Sequence, residues 1–134
     1  MALIALTRRM PSVAADTLRA AGHEVRLHDD DTPPSRARLL ELVGGADAIV
    51  SLLSDRVDDE VLDAAGPSLR IVANYAVGLD NVDLDACRDR GVAVAHTPGV
   101  LTEATADLAW ALLLAVARRI VEGEARGVDP RPGR

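Results

Sequence analysis

Short strand-like runs alternate with segments of helical spacing, and that alternation limits the chain to very few folds. The runs are Ala2–Leu6, Glu24–His28, Asp47–Leu53, Leu69–Ala73 and Val92–Ala95; the first is continuously apolar, the pattern of a strand covered on both faces, and the third is rich in Ile, Val and Leu. Between them, Pro11 sits where a first helical turn tolerates proline, and Val13, Ala14, Thr17, Leu18 and Ala21 repeat at helical spacing until Gly22. A second helix starts at Pro33 or Ser35 and runs to Val43, with Leu39, Leu40 and Val43 inward and Gly44-Gly45 as its stop. Asp58 and Asp83 are N-caps for a third helix to about Ala65 and a fourth to Arg90, because a carboxylate there accepts from the free first-turn amides. Strands and helices in this order predict an α/β protein. With right-handed crossovers it is a flavodoxin-like, doubly wound parallel sheet of five strands in the order 2-1-3-4-5.

A chain of 134 residues can bury a core without metal or disulfide support, and Cys87 alone forms no intramolecular disulfide. No paired Cys/His spacing suggests a metal site, so none is expected, and the start does not read as a secretion signal. A cytoplasmic protein is expected. The net charge of −6 and the lack of a Lys/Arg patch exclude nucleic acid as a partner, and Trp110 and Tyr75 are the only aromatic residues. The last helix is expected over Thr102–Glu122. Its Leu108–Ala117 portion is apolar around nearly the whole circumference, which requires burial on more than one side, yet it is too short to span a bilayer. Residues 1–122 are therefore read as one domain and Gly123–Arg134, with its Gly and Pro, as a disordered tail.

Ligands of open parallel sheets bind beyond the carboxyl ends of the strands, where Thr7–Met10, Ser51–Arg56 and Asn74–Asp80 fall. The third loop is the leading candidate. Gly78 either lets backbone amides approach an anion such as a carboxylate or supplies a positive φ for a turn, and spacing alone leaves both open. Other polar residues have simpler explanations. Asp29-Asp30-Asp31 cannot converge on one ion and reads as a solvated turn, His23 and His28 flank the second strand as surface or edge residues, and Cys87 reads as a small core side chain.

Arg70-Ile71-Val72-Ala73-Asn74-Tyr75-Ala76-Val77-Gly78-Leu79-Asp80-Asn81-Val82-Asp83, then Arg90 through His96-Thr97-Pro98, then Val100 through Asp107 to Ala117-Arg118-Arg119, resembles the D-isomer-specific 2-hydroxyacid dehydrogenases. Within that family the chain looks most like the glyoxylate/hydroxypyruvate reductases, most strongly from Leu52 to Arg119. The resemblance implies a substrate-binding domain in which the Val77 and Gly78 amides hold a substrate carboxylate, Leu53 and Ser54 line the pocket, and Thr105 lies near the nicotinamide. His96 departs from the family's usual Asn, and its place after the fifth strand suggests a turn residue.

The family's G-x-G-x-x-G turn and its catalytic Arg, Glu and His have no counterpart in this sequence. The expectation is thus a truncated domain, inactive alone, that binds a small 2-oxo or 2-hydroxy acid weakly and holds no cofactor, whereas the full-length family uses NAD(P). The alternatives are a structural or interaction module acting through the last helix, and one half of a split NAD(P)-dependent oxidoreductase. A monomer with the last helix folded back is expected ahead of a homodimer.

Overall fold

The computed structural model describes residues 1–127, with side chains to Glu124. Its strands are β1 Leu3–Leu6, β2 Glu24–Leu27, β3 Ala48–Ser51, β4 Ile71–Asn74 and β5 Ala93–Ala95. They form one parallel sheet in the order β2-β1-β3-β4-β5, the order the alternation predicts. The helices are α1 Ser12–Ala20, α2 Arg36–Val43, α3 Asp59–Ala65, α4 Leu84–Asp89, α5 Thr102–Ala117 and α6 Ile120–Gly127. Contacts divide the chain into two compact units, Met1–Pro98 and the part from Gly99 onward.

Strand alternation distributes the first unit's core over both sheet faces. Ala5, Ile49 and Val72 turn toward a cluster with Leu42 and Val43 of α2, Val61, Leu62 and Ala65 of α3, and Cys87 of α4. Ile4 and Leu6 turn the other way, onto Ala15 of α1. The expected caps Asp58 and Asp83 accept from the amides of Val61 and Ala86, and Ser35 caps α2 by accepting from the Arg38 amide. Gly66 and Gly91 follow α3 and α4 with φ of 84° and 67°, a region only glycine enters without strain. Beyond the strands, Val57 and Val82 form an isolated parallel bridge, with Val57 N–H donating to Asn81 O and Asp83 N–H to Val57 O, both at 2.8 Å.

One expectation requires correction. The single helix over 102–122 is interrupted: Arg118 and Arg119 cap α5 through the Leu114 and Val116 carbonyls, and Arg119 turns to φ 52° before α6 begins. Consequently Gly123–Gly127, placed in the tail by composition, is helical, while residues 128–134 lie outside the described ones. Trp110 and Leu113 of α5 are 64% and 56% exposed in the chain by itself. Among the described residues no helix is long and apolar enough to cross a membrane.

Candidate functional site

The carboxyl ends of β1, β3 and β4 feed the loops expected to bind a ligand, and two polar networks organise them. The first joins β1 to β3. Asp55, 3% exposed, accepts from Thr7 Oγ1 at 2.5 Å and from the Leu52 amide at 2.9 Å through Oδ2, while its Oδ1 pairs with Arg8 Nη2 at 3.2 Å. Arg8 itself is 9% exposed and also donates to Ser54 Oγ at 2.7 Å and Asp31 O at 3.2 Å, although its Nε has no partner. The Leu52–Asp55 turn, closed by Asp55 N–H to Leu52 O at 2.9 Å, ends β3 at Ser51, before the Leu53 expected from the sequence. These charged side chains were not legible as core, because Arg and Asp are rarely buried unless paired.

The second network joins β4 to its own following loop and uses neutral amides. Asn74 and Asn81 face each other reciprocally: Asn74 Nδ2 donates to Asn81 Oδ1 at 2.9 Å, and Asn81 Nδ2 to Asn74 Oδ1 at 3.2 Å. Ser51 Oγ also donates to Asn74 Oδ1, at 3.0 Å, and Asn81 Nδ2 reaches the Leu52 and Asp55 carbonyls at 3.1 and 2.9 Å. One Asn pair thus ties the Ser51–Asp55 turn to the Asn74–Asp80 loop.

Within that loop three successive carbonyls are occupied. Ala76 O accepts from the Thr97 amide at 3.0 Å, Val77 O lies 2.8 Å from His96 Nδ1, and Gly78 O accepts from Asn74 Nδ2 at 2.9 Å. No peptide bond is cis, so the N–H on each of these peptide planes points opposite to its carbonyl. The first two planes carry the Val77 and Gly78 amides. Among the described residues neither amide has an acceptor, and Val77 is 46% exposed. Gly78 does not take a positive φ, which removes the turn explanation for it, and a Cβ built there would meet only Asp80 Oδ2 at an ordinary 3.5 Å. Within the protein alone, nothing near Gly78 requires glycine.

Leu53 and Ser54 line an open depression of about 470 Å³ together with Arg56, Asp58, Asp80 and Asp83. Val77 and Gly78 stand outside its lining, so the structure does not merge these four candidates into one cavity. Three carboxylates against one guanidinium, itself paired to Asp58 at 3.2 Å, make this depression unfavourable for an anion. Thr105 lies on exposed α5 in the second unit. Of the remaining polar candidates, Asp30 caps Thr32 through its amide and hydroxyl, and those hydrogen bonds hold its carboxyl below the usual range. Asp29 and Asp31 pair with exposed Arg9. Burial and the neighbouring Asp83 push the Cys87 thiol up against the opposing Arg90, so it is not an activated nucleophile. His23 and His28 are half-buried around edge strand β2, with His23 Nδ1 and His28 Nε2 buried and unpartnered.

The loop from β1 to α1 contains no glycine, and its Arg8 is paired with Asp55.

Comparison with known proteins gives the site its context. Residues 4–123 match the family described as D-isomer specific 2-hydroxyacid dehydrogenase, catalytic domain. Glyoxylate reductase from Thermococcus litoralis is 51% identical over 120 residues, which cover 90% of this chain and 36% of that protein. The Korarchaeum cryptofilum glyoxylate reductase is 55% identical over 101 residues, 75% of this chain and 30% of that one. A Thermus thermophilus protein of known structure superposes with a TM-score of 0.85 at 51% identity, covering 95% of this chain and 40% of its own. An NAD+-bound 3-phosphoglycerate dehydrogenase from Entamoeba histolytica gives 0.69 at 25% identity, over 85% of this chain and 38% of its own. The chain spans about a third of the length of these glyoxylate reductases. Sheet order and sequence agree that this chain belongs to the D-isomer specific 2-hydroxyacid dehydrogenases, matching their catalytic domain.

Proposed function

We propose that the chain is the substrate-binding part of an NAD(P)-dependent D-2-hydroxyacid dehydrogenase of the glyoxylate/hydroxypyruvate reductase kind, taking the carboxylate of a small 2-oxo or 2-hydroxy acid on the Val77 and Gly78 amides. The observation that carries this is that the Val77 and Gly78 amides have no acceptor among the described residues while the carbonyls on their peptide planes, Ala76 O and Val77 O, are both held, which fixes the directions of the two amides. Oriented amides with no internal acceptor suit a carboxylate, which accepts two hydrogen bonds. Leu53 and Ser54 line a separate depression and are assigned to the substrate pocket only by the family resemblance. Thr105 approaches the nicotinamide only once a cofactor lobe is supplied. The chain alone does not transfer hydride, because it has neither a pyrophosphate seat nor the family's acid-base residues. Its lone buried thiol suits the reducing cytoplasm.

Amide NMR with glyoxylate tests this reading. Shifts centred on Val77 and Gly78, saturating at roughly millimolar concentration as expected for a half-enclosed small ligand, would support it. Glycolaldehyde, which lacks the carboxylate, should produce none. Equal responses to both compounds, or no response at these amides, would refute it. NADH oxidation with glyoxylate is expected to be absent for the chain alone, and turnover would refute its inactivity. Turnover that appears only with an added cofactor domain would instead identify half of a split enzyme.

A second reading, an interaction module, rests on α5. Its exposed Trp110, Leu112, Leu113, Leu114 and Val116 form a patch of the kind that marks protein interfaces. Sedimentation at micromolar concentration separates its forms. A dimer mass would favour self-association through α5 and defeat the folded-back monomer.

A further inference from the structure

We infer that His96 is a positioning residue of the carboxylate site: its Nδ1–H, by holding the Val77 carbonyl, sets the direction of the Gly78 amide. The inference rests on the reading that Val77 and Gly78 bind the carboxylate.

The chemistry of the contact fixes the roles. A carbonyl oxygen only accepts, so at 2.8 Å from Val77 O the Nδ1 atom must carry a proton. Neutral His96 is therefore the Nδ1–H tautomer, and the doubly protonated ring keeps the same bond. The Val77 carbonyl and the Gly78 N–H belong to one rigid, trans peptide group, so fixing one end of the plane aims the other.

A turn residue would not need this contact. The Thr97 amide already holds the chain after β5 to Ala76 O at 3.0 Å, and that bond is indifferent to the side chain at 96. His96 adds a hold on the next peptide, the one that carries the Gly78 amide. Asn74 holds the peptide after that, from the other side, through Gly78 O at 2.9 Å. The Gly78 residue thus has a fixed plane before it and another after it. Without His96 the preceding plane has no side-chain hold, and its rotation would turn the Gly78 N–H away from the ligand. His96 is exposed, so replacing it leaves the packed core intact.

The experiment compares the wild type with His96→Ala and His96→Asn, using glyoxylate as the probe and amide NMR with thermal melting as readouts. Asparagine Nδ2 occupies nearly the place of histidine Nδ1 and donates as well. Loss of one orienting hydrogen bond is expected to weaken glyoxylate binding about fivefold in H96A. The melting temperature should be unchanged, and H96N should bind within about twofold of the wild type. The ring nitrogen spectrum of the wild type should show a protonated Nδ1. Equal glyoxylate binding by H96A and wild type would overturn the inference while leaving the carboxylate site standing, as would failure of H96N to restore binding. Absence of any Val77 and Gly78 response in the wild type would overturn the site itself, and the inference with it.

Discussion

The two polar networks at the ligand end of the sheet look alike in sequence, each a few polar residues after a strand, but they end differently. Around β1 and β3 a buried ion pair satisfies most of its own groups: Asp55 accepts from Thr7, Arg8 and Leu52, and its two oxygens face inward. Around β4 the side chains of Asn74 and His96 engage carbonyls, and the backbone donors on the same planes remain without acceptors. The first arrangement has little left to offer a ligand; the second presents donors. The presence of polar residues in a loop therefore does not nominate a binding site, whereas the accounting of each donor and acceptor gives a reason to propose one.

This contrast is exposed to failure at several points. The largest effect is expected from Asp55→Ala, which strands the Arg8 guanidinium in a buried position and should remove about 3–5 kcal/mol of stability in urea denaturation. A loss under about 1 kcal/mol would mean that the β1–β3 network is not held by charge. Asn74→Ala deletes the amide pair and the hold on Gly78 O; about 2–3 kcal/mol is expected from the buried partners left unsatisfied, with weaker glyoxylate binding besides. Unchanged binding in that variant would sever the link between the Asn pair and the amides. Gly78→Ala should shift stability by less than about 1 kcal/mol, since the backbone there is not left-handed and a methyl has room. It should nevertheless abolish glyoxylate binding by blocking close approach, and retained affinity would exclude Gly78 from the site.

The smallest effect belongs to Asp58, a partly exposed carboxylate outside both networks. Desolvation raises its pKa, but the hydrogen bond from Arg36, the Val61 amide and Arg56 together outweigh this and leave it below its usual value. A depressed carboxylate stabilises the fold above its unfolded pKa, and that contribution disappears as pH falls through the lower, folded one. Asp58→Asn should therefore flatten the acid limb of the stability profile by no more than about 1 kcal/mol. A larger change would show that ion pairs near the surface matter as much as the buried pair.

The strand order was legible because periodicity and glycine stops are local signals, and the caps at Asp58 and Asp83 were legible for the same reason. The networks were not. Thr7 and Asp55 are 48 positions apart and His96 and Val77 are 19 apart, and nothing in either local pattern marks the partner. Arg8 was hidden because a lone arginine reads as surface until its carboxylate is found. The interruption at Arg119 escaped because no glycine or proline marks the break.

The bridge between Val57 and Val82 has a consequence for motion. Two hydrogen bonds splice the segment after the β3 turn to the one after the Gly78 loop, so the two segments open and close together. A small acid resting on the Gly78 amide alone would then slow hydrogen–deuterium exchange at Val57 as well as at Asp83, as one cooperative unit.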